Sequence, residues 1–147
     1  MALYIDSSFI LNIIYSEMNY EEYIEIFNLH KTKFSSILLD IETNRSINHF
    51  YNLKKKELGK PWLTETEKIL NELLSQISLK NVDFDIQLEI KKNKSVLELK
   101  SLDATHMATA IYLKKMISED LIICTLDEKF RSISNKFNFK LSPNIKM

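Results

Sequence analysis

Four acids stand where apolar runs stop. Asp6 ends the run 2–5, and Asp127 comes just after the run Leu121–Thr125. Asp103 opens the helix that leads into that second run, and Glu42 lies in the first turn or so of the helix after the run beginning at Lys33. In an open α/β sheet, ligands bind beyond the carboxyl ends of the strands, so carboxylates from four distant segments could meet at one edge. Carboxylates held a few ångströms apart repel and raise each other's pKa. Helix N-termini offset about 0.3–1 kcal/mol of that each, and a divalent cation offsets far more. All-oxygen ligation suits Mg²⁺ or Mn²⁺, and a cation held by few carboxylates keeps the open positions that phosphodiester hydrolysis needs. Each acid also has an ordinary reading: Asp103 and Asp127 as helix N-caps, Glu42 as a solvated helix residue. Asp6, directly ending a buried strand, fits no such reading well. The set, each member in a matching place, carries the signal.

Other side chains stand near these acids in sequence. His106 lies three residues after Asp103, so the two can share a helix face. It is either a nitrogen ligand or a buried histidine behind the ligands, and the preference of hard ions for oxygen favours the second. Arg45 follows Glu42 by three residues and Arg131 follows Asp127 by four. Both are spacings for an ordinary helical ion pair, and both also suit a guanidinium clamp on phosphate. Lys54-Lys55-Lys56 reads as a solvated helix end that could also track a nucleic-acid backbone. Cys124 reads as a small core residue.

The elements that must position these groups alternate along the chain. Residues 2–5 read as a buried strand, followed by a capped turn at Ser7-Ser8 and a helix through Ile14. Helix Glu21 to Leu29 and strand Lys33 to Ile37 come next, then a long helix from Leu38 to Leu58, stopped by Gly59-Lys60-Pro61. Thr64 and Glu67 look like a capping box for a further helix. Asn81 to Phe84 reads as a brief strand, Ile86 to Leu99 as a helix, and Ala104 to Met116 as a helix rich in small residues. Strand Leu121 to Thr125, helix Glu128 to Lys136 and strand Phe137 to Leu141 complete the chain. Strands alternating with helices predict an α/β fold, a parallel sheet with helices on both faces. No repeat or linker divides the 147 residues, so one domain is expected over residues 1–147.

Composition narrows the chemistry. Gly59 is the sole glycine, where an average chain of this length would carry about ten. That excludes a P-loop, a dinucleotide fingerprint and a kinase-type phosphate loop, all of which need clustered glycines. Twenty bases balance twenty acids, so net charge exerts no global pull toward nucleic acid or membrane. Setting the four candidate acids aside leaves sixteen acids against twenty bases, a mildly cationic body around an acidic pocket. No apolar stretch approaches the ~20 residues that span a bilayer. The N-terminus lacks a basic region, and the lone cysteine forms no internal disulfide. A reducing cytoplasm and no membrane partner are therefore expected.

The segment Leu102-Asp103-Ala104-Thr105-His106-Met107-Ala108-Thr109-Ala110 resembles the "LDA-x-H-[LM]-A-x-A" signature of PIN-domain ribonucleases, and within them of the VapC-type toxins of type II toxin–antitoxin systems. Tyr4-Ile5-Asp6-Ser7-Ser8 is similar to their opening motif, Ser36 to Glu42 to their "S-x-x-x-x-x-E" segment, and Thr125-Leu126-Asp127 to their "T-x-D". Order, spacing and length agree over essentially the whole chain. The resemblance implies a three-layer α/β/α sandwich with a mostly parallel five-stranded sheet. It implies Mg²⁺- or Mn²⁺-dependent endoribonuclease activity on RNA, a homodimer, and a cognate antitoxin protein that occludes the site. By motif position, Asp6 and Asp103 are the primary metal ligands, Glu42 and Asp127 complete the site, and Ser8 and Thr125 supply supporting hydroxyls. Asn138-Phe139 departs from the "G-[LIV]" turn of these toxins. Two further readings are an RNA-maturation nuclease of the same fold and an inactive binding module. A receiver-like phosphoacceptor would need a second acid beside Asp6, and Ser7 stands there.

Overall fold

A computed structural model describes residues 1–144 of the chain. Five strands form one sheet: β1 (Ala2–Ile5), β2 (Lys33–Ser36), β3 (Ser78–Lys80), β4 (Leu121–Cys124) and β5 (Lys140–Ser142). Their order is β3-β2-β1-β4-β5, and every pairing is parallel. Seven helices among the described residues cover the sheet: α1 (Ser7–Ile14), α2 (Tyr20–Leu29), α3 (Leu38–Leu58), α4 (Lys60–Leu74), α5 (Phe84–Lys92), α6 (Ser101–Met116) and α7 (Glu128–Lys136). The architecture is the expected α/β/α sandwich, with a sheet that is parallel throughout. No helix among the described residues is long and apolar enough to cross a membrane.

β1 is central and all four of its residues are fully buried, as a strand covered on both faces must be. Its side chains alternate between two cores with the period of two that a strand imposes. Leu3 and Ile5 pack with Phe9, Ile10, Phe27, Leu39, Ile47 and Leu70, on the side of α1 to α4. Ala2 and Tyr4 pack with Met107, Ala110, Ile111, Phe130 and Ile133, on the side of α6 and α7. The alternation thus sends Tyr4, two residues before Asp6, toward the helix that carries Asp103 and His106. Cys124 at the end of β4 is fully buried, and burial pushes its thiol up to about 12. The native protein is expected to leave Ellman's reagent unreacted and to react fully once unfolded. Prompt reaction of the folded protein would contradict this placement.

Several boundaries differ from the sequence reading. The strand expected at Asn81 to Phe84 lies earlier, at Ser78–Lys80. Asp83 instead N-caps α5, accepting from the Asp85 N–H, and its carboxylate holds the Lys80 ammonium at 2.6 Å. The helix expected from Ile86 to Leu99 breaks at Asn93 into α5 and a 3₁₀ turn, Lys94–Glu98. There the Asn93 side chain donates to the Glu89 carbonyl at 2.9 Å. Thr64 and Glu67 make no capping box, because α4 already begins at Lys60 and Thr64 lies inside it. α6 begins at Ser101 with Lys100 as its N-cap, so Asp103 sits in the first turn and is not the cap. The last strand is Lys140–Ser142 and not Phe137 to Leu141. Asn138 takes φ 60° before it, supplying the left-handed turn that glycine would otherwise make.

Gly59 joins α3 to α4 at φ 75°, ψ 161°, a region that essentially only glycine occupies. A Cβ there would meet only the Pro61 ring, at an ordinary 3.6 Å, so the penalty lies in the backbone and not in a clash. Gly59→Ala is expected to lower stability by about 1–3 kcal/mol, read from urea unfolding. Unchanged stability would show that the α3–α4 turn relaxes.

Candidate active site

Asp6 leaves the carboxyl end of β1 and is almost wholly buried. Its N–H donates to the Cys124 carbonyl at 3.0 Å, fixing it beside the end of β4. Its Oδ2 accepts from the Ser8 hydroxyl at 2.7 Å and the Thr125 hydroxyl at 2.8 Å. Both hydroxyls are oriented in turn: Leu126 N–H donates to Ser8 Oγ, and Asp127 N–H to Thr125 Oγ1. One Asp6 oxygen is therefore saturated. Oδ1 has no hydrogen-bond partner among the described residues and is not sealed from solvent. Asp127 repeats the pattern: its Oδ1 accepts from the Phe130 N–H at 2.7 Å, capping α7, and its other oxygen makes no such bond among the described residues. The capping and functional readings of Asp127 are thus compatible, one oxygen for each.

Asp103 projects from the first turn of α6. Burial pushes its carboxyl above the ordinary range, and the charges of Asp6, Asp127 and Glu42 add to that, against a smaller opposing pull from His106. Acids from the ends of β1, β4 and the starts of α3 and α6 thus share one electrostatic pocket. Glu42 is steered by His106, whose Nε2 donates to Glu42 Oε1. The imidazole is fully buried and its Nδ1 stands 2.7 Å from the Tyr4 hydroxyl. Burial alone would pull the imidazole pKa down. The bond to Glu42 and the charges of Asp6, Glu42 and Asp103 outweigh it and leave the value raised.

Arg45 is exposed one turn beyond Glu42 and forms no ion pair with it, while Glu42 Oε1 is bonded to His106. Arg131 is where sequence and structure part most clearly. Neither reading of it holds: the guanidinium is buried and donates to the carbonyls of Thr125 at 2.7 Å and Pro143 at 2.7 Å, tying the ends of β4 and β5 together. Lys55 and Lys56 are exposed, and Lys54 lies 3.9 Å from Glu57. Tyr4 is the residue that sequence reasoning missed, since an aromatic in an apolar strand reads as core. Its signal was register: it shares a sheet face with α6, two residues before Asp6.

A model of the PIN domain matches residues 3–136. The chain belongs to the PIN domain family. PIN domains are generally nucleases and usually use divalent metal ions, and this chain has the family's nuclease fold. A search of curated proteins found no match. The four acids offer carboxylate oxygens, the donor set for a hard cation. Among the described residues no three His, Cys, Asp or Glu groups stand close enough together to hold a metal ion as they lie. A Mg²⁺ site built from one or two carboxylates and several waters needs no such group. The unpaired oxygen of Asp6, whose charge acts on the Asp103 carboxylate, fits that kind of site.

Proposed function

We propose that this PIN domain is a Mg²⁺- or Mn²⁺-dependent endoribonuclease, the toxin of a type II toxin–antitoxin pair, acting as a homodimer in the cytoplasm and inhibited by a cognate antitoxin. The observation that carries the catalytic part is Asp6, locked by two hydroxyls with one oxygen left for a ligand, beside Asp103, whose pKa is raised by burial and by the charges of Asp6, Asp127 and Glu42. The toxin part is supported by the four motifs in register, Asp103 to Ala110 above all.

In this reading Asp6 and Asp103 would hold the cation, with Glu42 and Asp127 completing the site directly or through water. The cation, when bound, neutralises the pocket and polarises the phosphodiester. Ser8 and Thr125 keep the Asp6 carboxylate from turning, so that its free oxygen is preorganised. Asp127 presents one oxygen while its other stays on the N-terminus of α7. Glu42 presents Oε2, Oε1 being tied to His106, and can accept a hydrogen bond from an attacking water. Arg45, exposed beside Glu42, is free to meet the phosphate backbone of RNA.

Sequencing of RNA 5′ ends after brief induction tests this reading. Discrete new ends in a small set of RNAs, with growth arrest relieved by co-expression of a DNA-binding protein encoded next to the gene, are expected. No new ends and no arrest would overturn the toxin reading.

A further inference from the structure

We propose that Tyr4 is a positioning residue for the acidic site: through His106 it fixes Glu42 so that one carboxylate oxygen is committed inward and only the other faces the pocket. This rests on the metal-dependent nuclease reading above. Tyr4 and His106 are both fully buried, 102 residues apart in sequence. Their rings meet edge to face, with centroids 5.9 Å apart and planes at 82°.

Which imidazole nitrogen carries the proton is set by the bond the other one makes. A phenol keeps its proton at neutral pH, and the Tyr4 hydroxyl, 2.7 Å from Nδ1, can donate to it. In the neutral ring this leaves Nε2–H, the donor that Glu42 Oε1 requires; in the protonated ring Nε2–H still donates to Glu42 and the Tyr4 hydroxyl accepts from Nδ1–H. Without the Tyr4 hydroxyl, Nδ1 is a buried acceptor with no partner, and the other tautomer becomes competitive. That tautomer would turn a lone pair toward the Glu42 carboxylate. Outer partners of this kind orient the groups that meet a metal and typically change affinity or activity 10–100-fold when removed. With Oε1 held by His106, Oε2 is the Glu42 oxygen with no bond among the described residues, available as a one-atom ligand or as the anchor of a water.

A merely structural relay would affect only stability, and the test separates the two. Tyr4→Phe keeps the ring and removes the hydroxyl. The chain has three histidines, so long-range ¹⁵N–¹H NMR can read the His106 nitrogens directly. At a pH where the ring is neutral, the wild type should show a protonated Nε2 with Nδ1 accepting, and Tyr4→Phe should lose that pattern. Mn²⁺ titration should show affinity lowered about tenfold or more, and kcat on RNA should fall with KM unchanged. His106→Gln, which keeps an N–H for Glu42, should retain more Mn²⁺ affinity than His106→Leu. A Tyr4→Phe protein with wild-type nitrogen shifts and wild-type Mn²⁺ affinity would overturn the proposal, as would equal losses in the two His106 variants. Mn²⁺ binding by a wild type that cleaves no RNA would overturn the nuclease reading alone, and the NMR and Mn²⁺ comparisons would still decide the role of Tyr4.

Discussion

Asp6→Asn is expected to abolish divalent-cation binding and to lower RNA cleavage by roughly a thousandfold, equivalent to about 4 kcal/mol of lost transition-state stabilisation. Asparagine has the same shape. Its carbonyl oxygen can replace Oδ2 and accept from the hydroxyls of Ser8 and Thr125, now 2.7 and 2.8 Å from the carboxylate. The amide NH₂ then points where the unpaired carboxylate oxygen pointed, putting a donor in the place of an acceptor. The fold should survive, since no hydroxyl is orphaned, and far-UV circular dichroism should be unchanged. Loss of cleavage with an intact spectrum would locate the defect in the site. Cleavage within a few-fold of wild type would remove Asp6 from the role given to it.

Arg131→Met is expected to destabilise the protein by about 2–4 kcal/mol, a fall in Tm of roughly 5–15 °C for a domain of this size. Methionine keeps most of the apolar stem and removes the guanidinium. The carbonyls of Thr125 and Pro143 then lose charge-assisted bonds of 2.7 Å each, in a place almost closed to water. Buried acceptors left unpaired cost more than the bonds contributed when made. Since Thr125 also orients Asp6, activity should fall near the new Tm while the affinity for RNA at low temperature stays close to wild type. A phosphate clamp would behave in the opposite way, with RNA affinity lost and Tm unchanged. Thermal melts beside RNA titrations distinguish the two.

The parts of the fold legible in the sequence are those where burial on both faces leaves a mark. β1 and β4 are apolar runs ended by acids, because they lie inside the sheet. β3 and β5 lie a few residues from where the sequence pattern places them because they are three-residue edge strands, with partly exposed side chains and no such run. What fixes their neighbours is local and polar: the Asp83 cap, the break at Asn93, the left-handed Asn138. The acids were legible as a set because strand ends and helix starts converge in a parallel sheet. The side chains that hold them were less so. Arg131 has main-chain carbonyls as partners, and a carbonyl has no letter in a sequence. Tyr4 reads as packing until the register shows that its face of β1 meets α6.

In the function proposed above, the four acids form one cation-dependent centre for cutting RNA. The measurement that tests it most directly is cleavage of RNA by the purified protein, with Mg²⁺, with Mn²⁺ and with EDTA, beside the Asp6→Asn, Asp103→Asn double variant. The wild type should cleave with either cation and not with EDTA, and the folded double variant should not cleave. Full activity of that variant would contradict the proposal.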